Sequence, residues 1–89
     1  MQYRKKPVVI EAVPVKEVIF QIEHNTMKED WVEEGCASGT IIYELPGLVS
    51  VKTLEGTMAA NREDWLIQGV KGEIYPCKPD IFEETYEAV

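Results

Sequence analysis

Thr40-Ile41-Ile42-Tyr43-Glu44-Leu45-Pro46-Gly47-Leu48-Val49-Ser50-Val51-Lys52-Thr53-Leu54-Glu55-Gly56-Thr57-Met58-Ala59-Ala60 is the stretch that decides the fold. Its apolar residues form short runs, some of them alternating, and each run stops at turn chemistry. Thr40 to Leu45, Leu48 to Leu54 and Thr57 to Ala60 read as strands, and Trp65 to Val70 and Glu73 to Cys77 continue the pattern. Pro46-Gly47 suits the central pair of a type II turn, while Glu55-Gly56 and Lys71-Gly72 place glycine where tight hairpins need positive φ. The reading is an antiparallel meander with local connections.

Working outward, Pro7 to Val13 is rich in β-branched residues and bracketed by Pro7 and Pro14, which predicts a first strand. Val15, Val18, Ile19 and Ile22 then fall at i, i+3, i+4 and i+7, predicting an amphipathic helix over Lys16 to Glu23. Thr26 and Glu29 stand in capping-box relation, Met27, Trp31 and Val32 share a helical face, and Gly35 offers a stop, so a second short helix follows. At the other end, Pro79 fits a first helical position, and Ile81, Phe82, Thr85 and Tyr86 predict a helical turn that packs Phe82 or Tyr86 onto the sheet. With no internal repeat or linker, residues 1–89 read as one α+β domain. Its sheet is mostly antiparallel, with about five to six short strands, two short helices and a C-terminal helical turn.

Sixteen acidic against nine basic residues give a formal charge of -7, and 45% hydrophobic with 28% charged residues is the composition of a folded domain. A chain of this size buries only roughly 60–65% of its unfolded surface, so the core is thin and a homodimer is expected. No apolar run approaches the roughly 18–20 residues of a membrane span. The start, Met1 to Pro7, is polar and leads into an apolar stretch broken by Glu11, so neither a signal peptide nor a membrane span is expected. Cys36 and Cys77 lie far apart, predicting free thiols and a cytoplasmic setting. With one histidine, His24, and no ligand spacing, no metal or other cofactor is expected.

Candidate chemistry concentrates in Gly69 to Asp80, a hairpin carrying a phenol, a thiol, two lysines and a carboxylate. Cys77, just before Lys78 and a helix start, would need a lowered pKa to act as a nucleophile. The competing reading is a buried residue at a strand end. His24 reads as a helix-end cation, and the pairs Glu33-Glu34, Glu63-Asp64 and Glu83-Glu84 diverge on any regular element, so no acid–base pair is formed. A non-enzymatic role is therefore expected. Arg4-Lys5-Lys6 is a solvated run too small to make a nucleic-acid face on so acidic a chain. The acidic clusters, Glu29 to Glu34 and Asp80 to Glu87, raise mimicry of a phosphate backbone, although ordinary solubility explains the same charge. Trp31, Trp65, Tyr43, Tyr75 and Tyr86 are core candidates that would line a stacking groove only if exposed. As a ligand site, Trp65 and Tyr75 supply stacking, Lys71 and Lys78 face phosphate, and Cys77 lies between them.

Three tracts together resemble a family of small proteins encoded by phages and prophages. They are Tyr3-Arg4-Lys5-Lys6-Pro7-Val8-Val9-Ile10-Glu11-Ala12, then Lys52-Thr53-Leu54-Glu55-Gly56-Thr57-Met58, and Gly69 to Phe82 with its Tyr75-Pro76-Cys77-Lys78-Pro79-Asp80-Ile81-Phe82 run followed by Thr85-Tyr86-Glu87. They lie at both ends and in the middle of the chain. Members carry a Pro-Gly-Asp-Tyr or Pro-Gly-Asp-Trp turn, for which some are called PGDYG proteins. Arg62-Glu63-Asp64-Trp65 keeps the Asp-aromatic half without Pro-Gly. The resemblance implies a bacterial host cytoplasm and an accessory role that acts by binding a host or phage macromolecule. It carries over no catalytic residue. Sequestration of a nucleotide-like small molecule is the alternative.

Overall fold

The computed structural model describes residues 1–4 and 6–89. The elements run β1 (Glu11–Pro14), α1 (Val15–His24), α2 (Asp30–Ser38), β2 (Ile41–Leu45), β3 (Leu48–Thr53), β4 (Gly56–Asn61), β5 (Trp65–Gln68), β6 (Ile74–Cys77) and α3 (Pro79–Thr85). They build an α+β domain with two antiparallel sheets, ordered β1-β5-β6 and β2-β3-β4.

The expected meander is thus real from β2 to β4 and then interrupted. Between β4 and β5, Asp64 N–H donates to Asn61 O at 3.0 Å, and the Asp64 carboxylate accepts from Asn61 N–H at 3.0 Å. This double closure turns the chain sharply. Asp64 O then accepts from Val15 N–H at 2.9 Å, which holds β5 beside the start of α1 and gives it β1 as a partner instead of β4.

The first strand is shorter than its composition predicts. Only Glu11–Pro14 pair, because β5 ends at Gln68 and the Gly69–Gly72 turn leads the partner away. Residues 7–10 continue past the sheet with strand-forming side chains and no regular structure. Of the basic run ahead of them, Arg4 and Lys6 are exposed, and Lys5 lies outside the described residues.

The apolar stripe of α1 buries Val15, Val18 and Ile19 completely, and Asn25 ends the helix in the left-handed region at φ 51°. The one polar member of that buried face, Gln21, is fully satisfied. Its Nε2 donates to Glu17 and Glu29, and its Oε1 accepts from Lys28 N–H, which stitches α1 to the approach of α2. The expected capping box is absent: α2 begins one residue after Glu29 with no side-chain cap. Gly35 does not stop this helix, which ends at Gly39 with φ 82°. A Cβ on Gly35 would lie 2.7 Å from Ile41 Cδ1 and 3.1 Å from Ile74 Cδ1, so glycine there permits close approach of α2 to β2 and β6.

The main core joins α1, α2 and the inner faces of both sheets around Val13, Val32, Ile41, Val49, Val51 and Leu66. Strand alternation sends Trp65, Ile67, Tyr75 and Cys77 to the opposite face of the β1-β5-β6 sheet, where Trp65 pairs across to Cys77 and Ile67 to Tyr75. The short helix α3 covers that face. Phe82 stacks on Trp65 with centroids 4.1 Å apart at 7°, and the Tyr75 and Tyr86 hydroxyls lie 3.4 Å apart.

Candidate functional site

A groove of about 1030 Å³ lies between α2, the β3–β4 hairpin and the β5–β6 hairpin. Three local choices of sequence shape it. Gly35 lets α2 close down on Ile41 and Ile74 at one wall, the two-residue loop Leu54-Glu55 projects from one hairpin, and Gly72, at φ 86°, tightens the other. The buried part of the lining is apolar: Trp31, 8% exposed, with Gly35 and the half-buried Ile74 and Pro76. Leu54 and Met58 add exposed apolar side chains. The exposed charges are Glu34, Glu55 and Glu73 against Lys52, so the margin is acidic. Trp31 Nε1–H is buried without a hydrogen-bond partner among the described residues, an uncommon state for an indole in a folded domain.

The five residues expected to form a ligand site do not share this groove. Tyr75 lines it, and its phenol is turned to Tyr86. That phenol is held protonated well beyond the usual tyrosine range by burial, with the Tyr86 hydrogen bond second. The ring face of Trp65 is already occupied by Phe82, so the stacking surface is satisfied internally. Lys78 reaches back to the buried Asp64 carboxylate at 3.3 Å and does not face an open phosphate site. Lys71 is exposed on the β5–β6 turn, where its backbone N–H donates to the Glu73 carboxylate. The Cys77 thiol is half-buried, and burial followed by the charges of Asp64 and Asp80 pushes its pKa up. That is the reverse of what activates a thiolate. Lys78, the cation expected to help, is engaged elsewhere.

Sequence reading missed the groove residues Glu34, Gly35, Lys52 and Glu73. They come from three segments, α2, β3 and the β5–β6 turn, whose meeting depends on how the two sheets pack. The signal available was Gly35, a glycine in the middle of a helical pattern, which often marks a close approach. His24 is exposed, stacked on Phe20 with centroids 4.1 Å apart, and its Nδ1 lies 2.9 Å from Phe20 O at the helix end. Among the described residues, no group of three His, Cys, Asp or Glu side chains is placed to hold a metal, and no helix is long and apolar enough to cross a membrane. A scan against protein-family models and searches of curated proteins and of solved structures returned no match.

Proposed function

We propose that the protein is a non-enzymatic accessory protein that binds a host or phage protein in the groove between its two sheets, within the cytoplasm of a bacterial host. The occupant is an extended polypeptide segment with alternating apolar and basic side chains. The observation that carries the reading is the pairing of an apolar lining with the acidic margin of Glu34, Glu55 and Glu73. Unlike charge fixes register and speeds encounter, while apolar contact supplies affinity. The same margin opposes a phosphate-bearing ligand, because among the described residues Lys52 is the only cation in the lining. A nucleotide-like occupant is thereby disfavoured relative to a basic segment. The phage-type tracts support a host or phage source for the partner.

A titration of the labelled protein with a synthetic decapeptide of alternating valine and lysine tests the reading by NMR. Shifts concentrated at the Trp31 indole N–H, Gly35, Met58 and Ile74, weakening as salt is added, are expected. Absence of shifts at these positions, or equal binding by a peptide with glutamate in place of lysine, would overturn it.

A further inference from the structure

The residues ahead of β1 present a second unexplained feature. Pro7, Val8, Val9 and Ile10 have the composition of a strand, yet Val8 is 48% and Val9 69% exposed, and Tyr3 ahead of them is 86% exposed. Contiguous exposed apolar side chains of this kind mark an interaction segment in a soluble domain. The molecule measures 48 × 24 × 21 Å with a radius of gyration of 13.4 Å. About 12 Å is usual for a compact domain of this length, as befits a body with a projecting arm.

This arm carries both kinds of side chain that the groove reading calls for, as a basic block followed by an apolar one rather than in alternation. Arg4 and Lys6 supply basic groups, and Val8, Val9 and Ile10 supply β-branched apolar ones. It leaves the body at Glu11, which pairs with Gln68, itself part of the groove lining and paired in turn with Ile74. Beside the groove, β4 is the edge of its sheet and is exposed from Gly56 to Ala59. The two-residue hairpin makes Thr53 and Gly56 a hydrogen-bonded pair, so alternation leaves the peptide groups of Thr57 and Ala59 directed outward. An unpaired edge of this kind accepts an added strand.

We propose that in solution the arm of a second copy lies extended along β4 in the groove, and that the second copy's groove receives the first copy's arm in return. The inference rests on the groove reading above and names this chain as one of the groove's occupants. Val8 contributes the apolar contact with Leu54 and Met58, Arg4 and Lys6 on the same face of the extended arm meet Glu34, Glu55 and Glu73, and Val9 lies on the opposite face of the added strand. Exchange of identical segments about a two-fold axis makes both contacts in one association, and Val8, Leu54 and Met58, exposed in the single chain, become covered.

Sedimentation velocity of the full chain tests the proposal, with far-UV circular dichroism checking that each variant is folded. The unsubstituted protein should sediment at twice the chain mass. V8D/V9D, altered outside the folded body, should sediment at the single-chain mass with an unchanged spectrum. R4E/K6E should weaken association at least tenfold, and combining it with E34K/E55K should restore the dimer. A single-chain mass at every concentration overturns the proposal, and so does a dimer that persists in V8D/V9D or a charge swap that fails to restore association. The two readings fail separately. Peptide shifts in the groove of a monomeric protein would sink arm exchange alone, whereas a dimer whose groove ignores the basic peptide would sink the groove reading.

Discussion

Asp64 is 2% exposed and does three things at once: its carboxylate accepts from Asn61 N–H, the same oxygen meets Lys78 Nζ, and its carbonyl accepts from Val15 N–H. A buried carboxylate is tolerable because it is hydrogen-bonded. Asp64→Ala removes the side-chain acceptor and should destabilise by about 1–3 kcal/mol, lowering Tm by several degrees for each kcal/mol lost, at roughly 4–8 °C. Asp64→Asn keeps an acceptor for Asn61 and loses only the charge. Since the Lys78 side chain is 60% exposed, that loss should cost no more than about 1 kcal/mol. Equal Tm values for the two variants would show that the turn closure contributes nothing. The sequence marked Asp64-Trp65 as a pair worth notice but could not show the carboxylate's partners, since Lys78 comes from another strand end. Gln21 was equally silent: a polar residue on a helical stripe looks like a boundary position until the Glu29 and Lys28 partners fold over it.

At the scale of elements, periodicity served where a segment's environment is local. The α1 stripe and the β2–β3–β4 hairpins follow their patterns to within a residue or two, because their partners are neighbours in the chain. It failed where a distant partner decides. Pro7 to Ile10 have strand chemistry without a strand beside them, and the break between β4 and β5 depends on hydrogen bonds from Asp64. Gly35 is the clearest instance, a helix interior read as a helix end. Its physical meaning lies in the neighbouring sheet, and a β-branched substitute tests it. Gly35→Val should destabilise by about 1–3 kcal/mol through overpacking against Ile41 and Ile74, read as a lower urea midpoint at constant slope. A midpoint that rises would mean that glycine's helix penalty outweighs the clash.

For the whole molecule, titration has a direction. Cys36 and Cys77 are both pushed up, with burial as the leading cause, and Tyr75 is pushed up in the same sense. The folded chain therefore keeps protons that the unfolded chain releases between about pH 8.5 and 10. In that window the folded state binds more protons than the unfolded state, so stability falls as pH rises and is retained at neutral pH. Urea midpoints measured at neutral pH and at about pH 10 should decrease, and a flat profile would show that none of the three groups is held. The candidate site was legible only in its ingredients. Acidity, aromatics and glycines were visible, but the groove arises between two sheets whose separation no single stretch encodes.

The stack of Phe82 on Trp65 has an optical consequence. The two tryptophans sit on opposite sides of the β1-β5-β6 sheet, Trp31 in the groove lining and Trp65 under α3. Excitation of the indoles thus yields two emitters in separate compartments. Trp31 fluorescence would respond to an occupant of the groove, and Trp65 fluorescence to undocking of the short C-terminal helix. A Trp31→Phe protein would report fraying of α3 alone, and a Trp65→Phe protein would report groove occupancy alone. The molecule thereby carries its own pair of intrinsic gauges for its two halves.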